Sequence, residues 1–138
     1  MMRHHILRLL AAVAVLPALA GATPAPSDAY LYIGWPNNGE VVKSPFKVWF
    51  GVRNMGVAPA GVQKYNTGHH HLIVDADLPP MDVPIPNNQN YLHFGGGQTE
   101  TVLDLPPGQH TLQLLMGDAD HVPFTPVVAS KRITITVK

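Results

Sequence analysis

The sequence predicts an all-β fold, an immunoglobulin-like β-sandwich of about seven antiparallel strands, on three observations. Short runs rich in Val, Ile, Tyr, Phe and Trp recur at close spacing between Pro, Gly and Asn punctuation. No stretch shows helical periodicity over ten or more residues, and 14 prolines would interrupt one in most places. Seven such runs fall within about a hundred residues, the strand density of that sandwich.

Lettered A to G in chain order, the expected strands are 30–35, 46–53, 69–75, 91–94, 99–105, 110–116 and 132–137. Alternation assigns their faces. In strand B, Phe46, Val48, Phe50 and Val52 point to the core, and Lys47, Trp49 and Arg53 point away from it. In strand F, His110, Leu112, Leu114 and Met116 point inward. Trp49 on a polar face is expected to be covered by a loop or a neighbouring side chain. Two connections are long: 54–68, and 76–90 with Pro79, Pro80, Pro84 and Pro86, the second reading as scaffold.

Ahead of the strands, Arg3 and Arg8 flank the start of an apolar run that ends in Ala18-Leu19-Ala20, the pattern of a secretory signal peptide over residues 1–20. The run is too short to span a bilayer comfortably, so no membrane association is expected after cleavage. Residues 21–29, rich in Ala, Pro, Thr and Ser, read as a flexible leader, and 30–138 as the sandwich domain. A periplasmic or secreted location follows. Residues 21–138 carry seven basic and nine acidic side chains, a net charge of −2 with histidines neutral, which argues against nucleic acid as partner. The chain has no cysteine. Thiolate zinc and blue-copper sites are thereby excluded, leaving nitrogen, oxygen or thioether donors for any transition metal.

Histidine is where the chemistry concentrates. His69, His70 and His71 open strand C; an expression tag would sit at a terminus, and this triplet is internal. In a sandwich of this kind the B–C, D–E and F–G loops gather at one end. That pole receives His69, His70 and His71, then His93 at the close of strand D, then Asp118, Asp120 and His121 after strand F. The period-two rule puts His69 and His71 on one face and His70 on the other with Leu72 and Val74, although Ile73 supports the opposite register. His70 is expected to be buried and hydrogen-bonded to backbone. His69, His71, His93 and His121, with Asp118 or Asp120 ligating or orienting an imidazole, suit a copper or zinc ion. Met116 and Met55 are remoter candidates for an axial copper ligand, a methionine ending a core strand being more often core. Binding of this kind should weaken below roughly pH 6 as imidazoles protonate. His110 lies at the opposite end, after Pro106-Pro107-Gly108-Gln109, where such domains place a corner tyrosine; it reads as a structural residue.

Several longer segments carry a resemblance: Gly34-Trp35-Pro36-Asn37, residues 51–61, Gly68-His69-His70-His71-Leu72, His93-Phe94-Gly95-Gly96-Gly97-Gln98-Thr99-Glu100, His110-Thr111-Leu112-Gln113-Leu114, and Gly117-Asp118-Ala119-Asp120-His121-Val122-Pro123. With them, residues 30–137 resemble a bacterial secreted family catalogued only as a domain of unknown function. The resemblance implies an exported β-sandwich and supplies no assigned activity. The family pattern often places histidine where this chain has Tyr91 and Phe124, which implies a reduced or altered site if those positions ligate a metal.

Three functions are compatible with these residues. The first is a non-enzymatic carrier or buffer of copper or zinc. The second is a structural or interaction module, with another exported protein as partner, Tyr30, Tyr32, Trp35 and Trp49 as its surface and the histidines in structural hydrogen bonds. A copper-dependent redox enzyme comes third, needing an open coordination position and a substrate groove. No catalytic constellation stands out, because no serine lies in a nucleophile-elbow context and there is no cysteine.

Overall fold

A computed structural model describes residues 21–138, and the expected signal peptide lies outside the described residues. The described chain is built from nine strands: β1 (Tyr30–Trp35), β2 (Val41–Val42), β3 (Phe46–Arg53), β4 (Gly56–Val57), β5 (Thr67–Val74), β6 (Tyr91–His93), β7 (Glu100–Leu103), β8 (Gly108–Gly117) and β9 (Ile133–Val137). The seven expected strands are all present, with β2 and β4 as added two-residue pieces. Both additions pair in parallel, β2 with β9 and β4 with β5, whereas the seven longer strands pair antiparallel.

The strands form two sheets. One has the order β1-β3-β7; the other runs β2-β9-β8-β5-β4, with β6 also paired to β5. The fourth of the expected strands therefore lies beside the third, not in the sheet of the first two as in the constant-type sandwich. That switch carries His93 directly opposite His71 in the β5–β6 register.

Alternation explains the core. Phe46, Val48 and Phe50 of β3 face Leu72 and Val74 of β5, Leu112, Leu114 and Met116 of β8, and Ile135 and Val137 of β9 in one cluster between the sheets. The other face of β5 is buried too. Ile73 and Leu115 pack there against Ile85, which the proline-rich segment 76–90 lays across the sheet. With both faces covered, β5 is a continuous run of buried residues from Gly68 to Val74, so periodicity alone leaves its register open.

Two expectations need correction. The segment 21–29 is docked along part of its length: Ala25 N donates to Thr125 O at 3.1 Å, Thr125 N donates to Thr23 O at 3.0 Å, and Ala25 and Ala29 pack against the main core. Trp49 is not covered either, with 51% of its surface exposed beside Tyr30 at 50%. Tyr30 and Tyr32 stack at 5.7 Å and Arg53 lies over both rings, so the outer face of the three-stranded sheet is aromatic and open.

Candidate metal centre

The loops of the expected pole are bonded to one another. Ala60 N donates to Gly95 O at 2.8 Å and Gly61 N donates to Ala119 O at 2.9 Å; Ile85, from the 76–90 connection that is not expected at this pole, donates its N–H to His121 O at 2.9 Å. Between these loops sit the side chains of β5 that face away from the main core, His69 and His71, at 0% and 1% exposure.

Their neighbours follow from register. His71 lies opposite His93 on β6 and opposite Leu115 on β8, while His69 lies opposite Gly117. Glycine is needed at that place, because a Cβ on Gly117 would stand 2.8 Å from Cε1 of His71; on Gly95 it would stand 2.4 Å from Cε1 of His93. The rings form a triangle with centroid separations of 4.7 Å for His69–His71, 5.0 Å for His69–His93 and 5.1 Å for His71–His93. One ring nitrogen from each lies within 4.8 Å of the others, an arrangement that could hold a metal ion. Tetrahedral coordination at 2.0–2.1 Å sets ligand nitrogens about 3.3 Å apart, so a small closure of the rings brings them onto one ion.

His121 closes the group from the turn after β8. Its ring stands 5.0 Å from His69, 4.7 Å from His93 and 6.2 Å from His71. The turn holds it in the left-handed region, at φ 69°, a conformation that histidine tolerates better than most residues. Asp118 maintains that turn. Its Oδ1 accepts from the backbone N–H of Asp120 and of Val122, both at 2.9 Å, and its Oδ2 accepts from the Thr23 hydroxyl at 2.6 Å.

The structure thus gathers His69, His71 and His93, with His121 in ring contact, and separates the two aspartates expected to ligate or to orient an imidazole. Asp118 positions His121 through the backbone, with both oxygens already occupied, and Asp120 is exposed, contributing its N–H to that turn. Met116 belongs to the main core, and Met55 packs against it. Phe124 is buried in the main core against Gly68, on the His70 face of β5, so position 124 lies outside the cluster. Tyr91, two residues before His93, packs beside Ile73 and donates its hydroxyl to Asp77 O at 2.8 Å. Sequence reasoning missed Gly117 and Gly95 as space-makers and Ile85 as part of the roof. The apolar residue between two prolines in Pro84-Ile85-Pro86 was the available signal.

Electrostatics keep these rings neutral. Burial lowers the pKa of His69 to about 4, with His121 and His93 adding to the shift and Asp118 opposing it. Burial and then the rings of His69, His93 and His121 take His71 to about 3, and burial followed by His121 lowers His93. Among the described residues, both ring nitrogens of His69, Nδ1 of His71 and Nε2 of His93 are buried without a hydrogen-bond partner. Unpaired buried polar groups cost about 1–3 kcal/mol each, so the arrangement is expensive unless something binds the nitrogens. Proton competition at His69 and His71 accordingly moves from near pH 6 to lower values.

The apo fold should respond to acid in a defined window. The unfolded chain protonates His69, His71 and His93 near pH 6.5 whereas the folded chain holds them neutral, so stability is present above that pH and is lost as pH falls toward about 4. Urea midpoints measured with chelator present should drop by an amount on the order of a few kcal/mol across this interval. A flat profile would contradict the placement of these rings.

His70 faces the other way, into the main core, with its ring 5.2 Å from Phe50. Its burial agrees with expectation and lowers its pKa to about 4; the Gln98 backbone lies near enough to the ring to oppose that shift, but among the described residues neither ring nitrogen meets full hydrogen-bond geometry. His70→Leu should therefore stabilise the apo fold by about 1–2 kcal/mol in chemical denaturation and leave metal affinity unchanged. Destabilisation would show that the imidazole is satisfied.

His110 occupies the opposite end of the sandwich, as its corner position predicts. Nδ1 donates to Asp75 Oδ2 at 2.6 Å and Nε2 donates to Pro106 O at 2.8 Å. Both partners are acceptors, so the ring carries both protons. Burial acts against that charge, but the Asp75 and Pro106 hydrogen bonds outweigh it and raise the pKa.

Among solved structures, the endo-β-1,4-mannanase from Thermotoga petrophila is similar over 80% of this chain at 16% identity with a TM-score of 0.49, and the match spans about a fifth (20%) of that enzyme's chain. No curated protein matches. No helix among the described residues is long and apolar enough to cross a membrane. The family model for a domain of unknown function, DUF4399, matches residues 48–138, most of β3 through the last residue, including every histidine of the cluster; the chain belongs to the DUF4399 family.

Proposed function

We propose that this protein is an exported metal-binding module, a carrier or buffer of copper or zinc, in which His69, His71 and His93 ligate one ion and His121 completes the set. The observation that carries this reading is the group of neighbouring buried imidazole nitrogens that have no hydrogen-bond partner among the described residues. A bound ion would convert that cost into coordination. Asp118 serves as the residue that positions His121. The signal-like segment at 1–20 supports export. The reading assigns no reaction.

Calorimetric titration of the protein spanning residues 21–138 tests it. One Cu(II) or Zn(II) should bind per chain with micromolar or tighter affinity at neutral pH. No heat with either ion, together with no metal in protein purified untagged from its native compartment, would remove the proposal.

A second reading, an interaction module, is favoured by the open face bearing Trp49, Tyr30 and Tyr32. Trp35 is not part of that surface, since it packs edge-on against Phe46 in the core. A partner retained on the protein in the presence of chelator would support this role beside metal binding.

A further inference from the structure

We propose that the ion this site prefers is monovalent copper, Cu(I), over any divalent ion, an inference that rests on the metal-binding reading above. Imidazole donors alone do not make that choice, since they suit copper, zinc, iron and nickel alike. Charge does. His69, His71, His93 and His121 are neutral ligands, so an ion bound among them keeps its full charge. His69 and His71 are shut off from solvent, with the sheet beneath them and Ile85 reaching over Gly117 beside His71. The cost of taking an ion out of water rises as the square of its charge, so a divalent ion meets about four times the penalty of a monovalent one.

Among the described residues, the buried surroundings hold one carboxylate. Asp118 is 8% exposed and close enough to act on His69, and three donors occupy its oxygens and hold them away from the metal. The other carboxylates near the turn, Asp82 and Asp120, are exposed and screened by water. One negative charge balances Cu(I) and leaves a divalent ion with a buried excess.

The test is an anaerobic competition titration of the protein with Cu(I) against a chromophoric Cu(I) chelator, run beside equivalent competitions for Zn(II) and Cu(II). The expected result is one Cu(I) per chain, bound at least about 100-fold more tightly than Zn(II), with the reduction potential of the bound copper above that of the aqueous couple. Asp118→Asn, which keeps an acceptor for the Asp120 and Val122 N–H groups but removes the charge, should weaken Cu(I) binding about tenfold. Zn(II) or Cu(II) binding as tightly as Cu(I) would overturn this inference and leave the metal-binding reading standing. Failure of all three ions to bind would remove both. Full Cu(I) affinity in the His71→Ala, His93→Ala double variant would place the ion elsewhere and overturn the assignment of the site.

Discussion

His110→Ala is expected to cost the fold about 2–3 kcal/mol while leaving metal affinity within about twofold of the unaltered protein. The imidazolium joins strand β8 to the end of β5 through Asp75 and to the preceding corner through the Pro106 carbonyl. Asp75 is itself committed there: its other oxygen accepts from the Thr111 N–H at 2.8 Å, and its backbone is in the left-handed region at φ 53°. Alanine removes two charge-assisted hydrogen bonds and leaves the Pro106 oxygen without its donor, and such bonds are worth more than neutral ones. The pH dependence has the opposite sign to that of the metal cluster. Because the folded pKa of His110 is raised, its contribution is complete below about pH 6.5 and is lost as pH climbs through the folded value. Urea denaturation of both proteins in chelator, repeated at pH 6 and pH 8.5, should show a smaller difference at the higher pH. An equal difference at both would mean that His110 acts through packing alone.

His71→Ala is expected to lower metal affinity by about two orders of magnitude or more, since it removes a ligand and not merely a group that orients one. Its effect on the apo fold is smaller than burial alone suggests. Deleting a fully buried ring leaves a cavity, which destabilises, but it also deletes a buried Nδ1 that has no partner among the described residues, which stabilises. These are of similar size and opposite sign, so the apo midpoint should stay within about 1 kcal/mol. Titration and denaturation of the same preparation separate the two effects. Unchanged affinity with a collapsed midpoint would reverse the roles of His71 and His110.

Much of this arrangement is legible in the residues. Alternation in Phe46, Val48 and Phe50 identifies the core side of β3, and the strand lettering is enough to bring His69, His71, His93 and His121 to one pole and His110 to the other. What escapes depends on tertiary contacts that have no period. The transfer of β6 to the second sheet is a choice of edge, and residues Tyr91 to His93 would alternate in the same way in either sheet. The residues alone leave Asp118 and Asp120 open as ligands or as groups that orient an imidazole; Asp118 proves to be engaged in an Asx-type turn whose partners include Thr23, 95 residues away. An indole on a polar face is expected to be covered, and the half-exposure of Trp49 can be recognised only when the neighbours that might cover it are seen to be Glu100, Gly34 and Lys47. The placement of Ile85 beside Gly117 and the cluster depends on a loop of four prolines whose path no local rule supplies.

X-ray absorption spectroscopy of the metal-loaded protein tests the central claim most directly, that one ion is held by imidazoles of β5, β6 and the turn after β8. The expected spectrum has three or four nitrogen neighbours at about 2.0 Å with the outer-shell scattering of imidazole rings, and it loses one ring in His93→Ala. A shell of oxygen or sulfur donors, or a spectrum unaltered in His93→Ala, would contradict it.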